Sequence, residues 1–207
     1  MFVGHYSASF LAKSLQKTIP LWLLFIAVQL VDILWAIFVL LGIEKIRIVP
    51  GITASNALDL YYMPFTHSLV GAFFWSALAF RFCQFFPSLK SWRTGLLVAA
   101  AVFSHWVLDL IVHRPDLALY DNTLKMGFGL WNYREPAFIL EIGILIAGTI
   151  LYLRTAPQRG SNYCLCVSAD FGPSGRNIPF SDAFIQPRCC SYRPLLLHHF
   201  RRDCVLG

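Results

Sequence analysis

The sequence predicts an all-α fold: a polytopic membrane helical bundle of about four transmembrane helices, a short N-terminal half-helix and an irregular C-terminal tail. Of the 207 residues, 57% are hydrophobic and 14% are charged, and the mean hydropathy is +0.59. A soluble domain of this size cannot bury so much apolar side chain. We expect a membrane-embedded helical domain over 1–156 and a separate tail over 157–207.

Four apolar runs have the length and composition of membrane spans. They cover about residues 20–43, 66–86, 94–113 and 135–153. Pro20 opens the first span, and Pro136 lies at the start of the fourth, where helices favour proline. Thr66 is the predicted N-cap of the second span, which places His67 in its first turn. The connecting segments 44–65 and 114–134 are interpreted as loops.

A short amphipathic helix is predicted over residues 4–17. It is too short and too polar to cross a bilayer, so it either lies at the interface or enters the membrane packed against protein. No cleavable signal peptide is expected, because the apolar run that follows Lys13 and Lys17 is longer than a signal-peptide core.

The tail has a different composition from the rest of the chain. It holds five of the six cysteines, Cys164, Cys166, Cys189, Cys190 and Cys204. The Cys-x-Cys and Cys-Cys spacings are not those of zinc sites. Our hypothesis is that this tail is an out-of-frame end that replaced further spans, and sequencing the gene across codons 150–165 would test it.

The positive charges indicate topology rather than a nucleic-acid partner. The net charge of +6 contains no Lys/Arg run of the nucleic-acid-binding type, so the expected partner is membrane lipid. The N-terminal side of the bundle carries seven Lys and Arg residues, Lys13, Lys17, Arg81, Lys90, Arg93, Arg154 and Arg159. The opposite side carries five, Lys45, Arg47, Arg114, Lys125 and Arg134. The positive-inside rule therefore predicts a cytoplasmic N-terminus.

Ionisable residues form a stripe along the third span. His105, Asp109 and His113 are spaced four residues apart, so they share one face of a helix. An ionisable group at membrane depth costs free energy unless it has a partner, which makes such a stripe a functional hypothesis. The alternative is a hydrogen-bonded pair that joins neighbouring helices.

Two more polar residues extend this stripe into a predicted site. Asp32 lies in the middle of the first span, and His67 lies at the start of the second. Four alternating spans can bring both residues to His105 and Asp109 in the outer half of the membrane. Two imidazoles and two carboxylates suit a divalent metal, zinc first, with manganese or iron as alternatives. Such a metal activates water as a nucleophile near neutral pH.

Four features occur in order along the chain: Gly4-His5, Asp32, Phe65-Thr66-His67-Ser68 and Ser104-His105-(x3)-Asp109. Over roughly residues 4–153, this ordered set resembles the family of inner-membrane metal-dependent hydrolases, also described as LexA-binding. The resemblance implies an integral protein of the bacterial inner (cytoplasmic) membrane, with a divalent-metal site built from His5, Asp32, His67, His105 and Asp109. His113 completes the candidate set because it continues the stripe.

The chain departs from the family pattern in two places. The family often has Asp-x-Asp-His in its first span, where this chain has Asp32-Ile33-Leu34-Trp35. It also often has His-Arg-Gly before Thr-His-Ser, where this chain has Met63-Pro64-Phe65. At least two of the family's candidate ligands are therefore missing, and His113 and Asp116 are the residues available to compensate.

Three functions fit these residues. The first is a membrane-embedded metal-dependent hydrolase. The second is an ion- or proton-coupled transporter or permease component in which the same residues bind or relay the ion. The third is a non-catalytic membrane scaffold with a structural metal. No internal repeat supports transport, and the spans supply only Cys83 for the cysteine-rich site that a structural zinc prefers.

The Lys/Arg distribution makes a testable prediction about topology. A reporter fused after Lys90 is expected to lie in the cytoplasm, and one inserted within 114–130 outside it. Paired fluorescent-protein and alkaline-phosphatase fusions measure the side directly. The opposite labelling would move the predicted site to the cytoplasmic half of the membrane.

Overall fold

The computed structural model describes residues 3–155. The tail 157–207 lies outside the described residues, so its predicted character stays a prediction. In chain order the elements are α1 (Tyr6–Leu15), α2 (Leu21–Leu40), β1 (Lys45–Ile48), β2 (Leu58–Tyr62), α3 (Leu69–Phe85), α4 (Trp92–Val112), a 3₁₀-helix (Leu130–Asn132) and α5 (Arg134–Thr155). The protein is therefore mostly helical, with one small sheet.

Three helices are long and apolar enough to cross a membrane: α2, α4 and α5. They match the first, third and fourth predicted spans to within a few residues. Helix α3 is apolar but has only 17 residues, so it is shorter than the predicted second span. Residues 3–155 thus contain four apolar helices, of which only three have the length of a full span.

Helix α3 begins later than predicted because Ser68, and not Thr66, is its N-cap. The Ser68 hydroxyl accepts a hydrogen bond from the Gly71 backbone N–H at 2.9 Å and donates one to the Pro64 carbonyl at 2.6 Å. The predicted cap at Thr66 was wrong because its hydroxyl is hydrogen-bonded to Glu44 instead. His67 consequently precedes the helix rather than lying in its first turn.

Helix α2 ends in a glycine motif that the sequence analysis did not use. Gly42 has a φ of +73°, and its N–H bonds the Val39 carbonyl at 3.0 Å while the Ile43 N–H bonds the Phe38 carbonyl at 2.8 Å. This pair of bonds is a Schellman motif. The turn stops the helix at Leu40 and leads the chain back toward the bundle, where Glu44 becomes buried.

The segment 44–65 contains a β-hairpin, so its interpretation as a simple loop was wrong. Strands β1 and β2 pair antiparallel, with Arg47 opposite Asp59. The Arg47 guanidinium donates to the Asp59 carboxylate at 2.8 Å across the pair. Arg114, which follows α4, also pairs with Asp59. The hairpin is therefore attached to the end of α4 that carries the polar stripe.

The predicted short N-terminal helix is present as α1, and it packs against α2, α4 and α5. Its Ser9 hydroxyl donates to the Leu24 carbonyl of α2 at 3.0 Å, in a fully buried position. The apolar core beside it includes Ile19, Val28 and Val102. Because α1 touches three other helices, it fixes the position of the residue just before it, His5.

The contact between α1 and α5 depends on Gly148. A Cβ atom there would lie 2.9 Å from both the Cα and the carbonyl oxygen of Ser7, whereas a Cβ at Gly143 of the same helix meets nothing within 4 Å. We expect Gly148→Ala to destabilise the protein by about 1–3 kcal/mol, because backbone atoms must move apart. Gly143→Ala should be neutral or stabilising by up to about 1 kcal/mol.

Thermal unfolding of both variants in detergent micelles tests this close approach. An equal unfolding temperature for the two variants would show that α1 does not rest on α5 in this way.

Candidate metal centre

All six candidate residues come together in one cluster. His5 is the N-cap of α1, Asp32 lies on α2, and His67 lies just before α3. His105 and Asp109 lie on α4, and His113 is its C-cap. Five of the six are buried, with 0 to 4% of each residue exposed, and the side chain of Asp32 is 30% exposed. Their proximity is a finding, and their role as metal ligands stays a prediction.

The ε nitrogens of four imidazoles converge on two carboxylates. The Oδ1 atom of Asp32 lies 3.3 Å from the Nε2 atoms of both His67 and His105. The Oδ1 atom of Asp109 lies 3.2 Å from Nε2 of His5. The Oδ2 atom of Asp109 lies 3.2 Å from His105 Nε2, 3.6 Å from His113 Nε2 and 3.8 Å from His67 Nε2. Asp109 is therefore the centre of the cluster.

Two overlapping triads have donor atoms close enough to share an ion. One is His5, His105 and Asp109, and the other is Asp32, His67 and His105; within each, the donor atoms lie within 4.8 Å of one another. Imidazole and carboxylate donors together suit zinc, manganese and iron. The His/Asp groups could thus hold a metal ion, as the sequence predicted, without fixing which metal.

The δ nitrogens of His105 and His113 face acceptors that orient the rings. His105 Nδ1 lies 2.7 Å from the Val28 carbonyl of α2, and His113 Nδ1 lies 2.8 Å from the Asp116 carboxylate. A carbonyl or carboxylate oxygen can only accept, so each Nδ1 carries the proton. When the ring is neutral, each Nε2 then presents a lone pair to the cluster. Metal-bound histidines almost always have such a partner on the other nitrogen.

A hydrogen-bonded chain orients His67 in the same way. Its Nδ1 lies 2.8 Å from the Thr66 hydroxyl, which donates its own hydrogen to Glu44 at 2.6 Å. The hydroxyl must then accept from His67, so in the neutral ring the lone pair is again on Nε2. Glu44 is held by the backbone N–H groups of Phe65 and Thr66, each at 2.9 Å. Three imidazoles thus share one arrangement.

His5 is held by stacking and by its backbone. Its ring lies parallel to that of His105, with centroids 3.8 Å apart and planes 11° apart. Burial outweighs the nearby Asp109 carboxylate and lowers the pKa of His5 from 6.5 to about 4, so the imidazole is neutral near pH 7. Glu141 of α5 accepts from the N–H groups of Val3 and Gly4, at 2.6 and 3.1 Å, and fixes the segment that carries His5.

Two of the supporting groups, Glu44 and the Val28 carbonyl, were missed by the sequence analysis. Glu44 follows the first span and is only 1% exposed. Its place beside Thr66 depends on the turn at Gly42, which is a local signal in the sequence. The hydrogen bond from His105 to the Val28 carbonyl has no such signal, because any backbone carbonyl can accept a hydrogen bond from an imidazole.

No family model, curated protein or solved structure matches the chain. The resemblance to inner-membrane metal-dependent hydrolases therefore depends on the ordered His and Asp residues alone, and it stays a prediction. The geometry of the cluster does not depend on that resemblance.

The cluster opens into a cleft of about 790 Å³ whose lining includes Asp32, His67, Asp109 and His113. Half of the other lining residues are apolar side chains of α2, β2 and α5. A metal held by the cluster would therefore be accessible to a molecule in the cleft.

The orientation of His67 can be tested through Thr66. Thr66→Val removes the acceptor for His67 Nδ1, so zinc affinity should fall about 10–100-fold. Thr66→Ser keeps the hydroxyl, so its zinc affinity should equal that of the wild type. Thr149→Val removes a hydroxyl that bonds only its own helix, at the Leu145 carbonyl, and should leave zinc affinity unchanged.

Competition of each variant with a fluorescent chelator measures the zinc affinity. Wild-type affinity in Thr66→Val would show that the Glu44–Thr66–His67 chain has no part in binding.

Proposed function

We propose that the protein is an integral membrane, metal-dependent hydrolase in which the His/Asp cluster holds a divalent ion, zinc first among the candidates. The observation that carries this proposal is the shared orientation of His67, His105 and His113. Each has Nδ1 at an acceptor and Nε2 toward the two carboxylates. In neutral rings, an Nε2 lone pair that faces a carboxylate oxygen at 3.2 to 3.8 Å is repelled by it unless a cation lies between them.

Protons alone are a poorer explanation of the cluster. If each Nε2 donated a hydrogen bond to a carboxylate, the three imidazoles with an acceptor at Nδ1 would all be doubly protonated and charged. Three imidazolium rings around the same Asp109 oxygen would place three positive charges close together in a buried site, which is costly. One divalent ion balances Asp32 and Asp109 and lets the imidazoles stay neutral.

The cluster is suited to hydrolysis because it is accessible from one side. Asp32 is the most exposed of the six residues and lines the cleft, while Asp109 is 2% exposed behind it. A divalent ion in such a site polarises a bound ester and lowers the pKa of water. Asp109 then serves to hold the ion and the imidazoles, and Asp32 lies where it can accept a proton from water on the cleft side.

The membrane location is part of the proposal. Helices α2, α4 and α5 have the length and apolar composition of spans, and a bacterial inner membrane follows from the family resemblance. The Lys/Arg count puts Lys13 and Lys17, at the turn between α1 and α2, on the cytoplasmic side, and α1 returns from there into the membrane to bring His5 to the cluster. In that orientation the cluster belongs to the outer half of the membrane.

Metal content and hydrolysis test the proposal together. Wild-type protein stripped with a chelator and reloaded should retain about one divalent ion per chain after desalting. It should also cleave at least one member of a mixed ester and phosphoester panel, with activity lost on chelation and restored by the metal. Asp109→Asn should lose both properties. Asp121→Asn changes an exposed carboxylate outside the cluster and should lose neither.

Elemental analysis by plasma mass spectrometry gives the stoichiometry. Metal-free wild type, with unchanged thermal stability in His105→Gln and Asp32→Asn, would end the hydrolase proposal and leave a helix-joining role for these residues.

A further inference from the structure

The cleft over the cluster has apolar walls from two spans. Its apolar lining includes Ile33 and Ala36 of α2, Leu58 and Leu60 of β2, and Ala137 and Phe138 of α5. Ile33 is 44% exposed and Phe138 is 64% exposed. Exposed apolar side chains on membrane-spanning helices face lipid tails rather than water. The cleft is therefore open to the hydrocarbon region as well as to the cluster.

One stripe of α5 presents both a charge and an apolar surface to the cleft. Arg134, Ala137, Phe138 and Glu141 all line it, and their spacing of three and four residues puts them on one helix face. Ile139 lies off this stripe. The Arg134 guanidinium has no ion pair with any residue in the described part of the chain, so it is available to an anionic ligand.

Two buried donors near the cluster also lack a partner. Trp35 Nε1 and Ser55 Oγ are buried, line the cleft and have no hydrogen-bond partner among residues 3–155. The Trp35 and His67 rings have centroids 6.2 Å apart, which puts this donor beside the cluster. An indole N–H can only donate. Together with Arg134, these groups favour a ligand rich in acceptor oxygens and negative charge.

The carboxylates of the cleft restrict when an anionic ligand can bind there. Asp32, Asp109 and Glu141 line the same space. Glu141 is neutralised in part by two backbone N–H groups, but the two aspartates repel an anion unless a cation lies between them. An anionic ligand is therefore compatible with this cleft only when the divalent ion of the proposed function is bound.

We infer that the substrate is a membrane phospholipid whose phosphate group lies at the cluster and whose acyl chains lie along α2 and α5. The inference rests on the proposed function, because the ion is what makes a phosphate acceptable beside Asp32 and Asp109. In the reaction, the oxygen of water bonds to phosphorus and a P–O bond to the leaving alcohol breaks. The alcohol leaves with one proton, and the phosphate product keeps the hydroxyl from water.

Binding of phosphatidylglycerol to zinc-loaded protein in detergent micelles tests this inference without needing turnover. We expect glycerol phosphate, the same headgroup without chains, and inorganic phosphate each to bind at least roughly ten-fold more weakly, because neither buries apolar area. Arg134→Gln should weaken phosphatidylglycerol binding roughly ten-fold. Phe138→Ala should weaken binding of the lipid and leave that of glycerol phosphate unchanged.

Two matched variants serve as controls. Arg154→Gln removes an exposed arginine at the other end of α5. Ile139→Ala shortens a neighbour of Phe138 that is 68% exposed but outside the cleft lining. Both should bind the lipid as wild type does, with zinc content equal in all four variants.

The outcomes separate the two proposals. Zinc-loaded protein that binds phosphatidylglycerol equally well in Arg134→Gln, Phe138→Ala and the two controls overturns the lipid site and leaves the metal centre standing. Glycerol phosphate or inorganic phosphate that binds as tightly as the lipid also overturns it, in favour of a soluble substrate. Failure to retain zinc overturns the proposed function itself, and the lipid inference with it.

Discussion

Asp109 is a carboxylate that is 2% exposed on an apolar helix, and four imidazoles are arranged around it. A buried charge without compensation costs several kcal/mol, so the fold must supply partners from every side. His105 and His113 come from the same end of α4, but His5 and His67 come from segments that precede other helices. The segments at the helix ends thus position His5, His67 and His113, and the long helices hold His105 and the two carboxylates.

Three of the four imidazoles are in turn held from outside. The Val28 carbonyl, the Asp116 carboxylate and the Glu44–Thr66 pair lie at the δ nitrogens. Asp116 is itself held by Arg114, which also pairs with Asp59 of the hairpin. The hairpin therefore acts on the cluster through two salt bridges. This outer layer orients the rings, as the outer hydrogen-bond partners of metal-bound histidines do.

The sequence predicted the His and Asp residues of the cluster better than the residues that hold them in place. The spacing of His105, Asp109 and His113 requires only a helix, and Asp32 stands out in an apolar run because a carboxylate there needs a partner. The helix start was wrong because Thr66 and Ser68 are both good N-caps, and only the burial of Glu44 decides between them. The hairpin was missed because its pairing is non-local and its strands are short.

X-ray absorption spectroscopy of zinc-loaded protein tests the account most directly, because it reports which atoms hold the ion. The cysteines of the tail could bind zinc and satisfy a measurement of content alone. The account predicts nitrogen and oxygen ligands only, at about 2.0–2.2 Å, with the multiple-scattering pattern of at least two imidazoles. A spectrum dominated by sulfur at about 2.3 Å, or one without imidazole scattering, would contradict it.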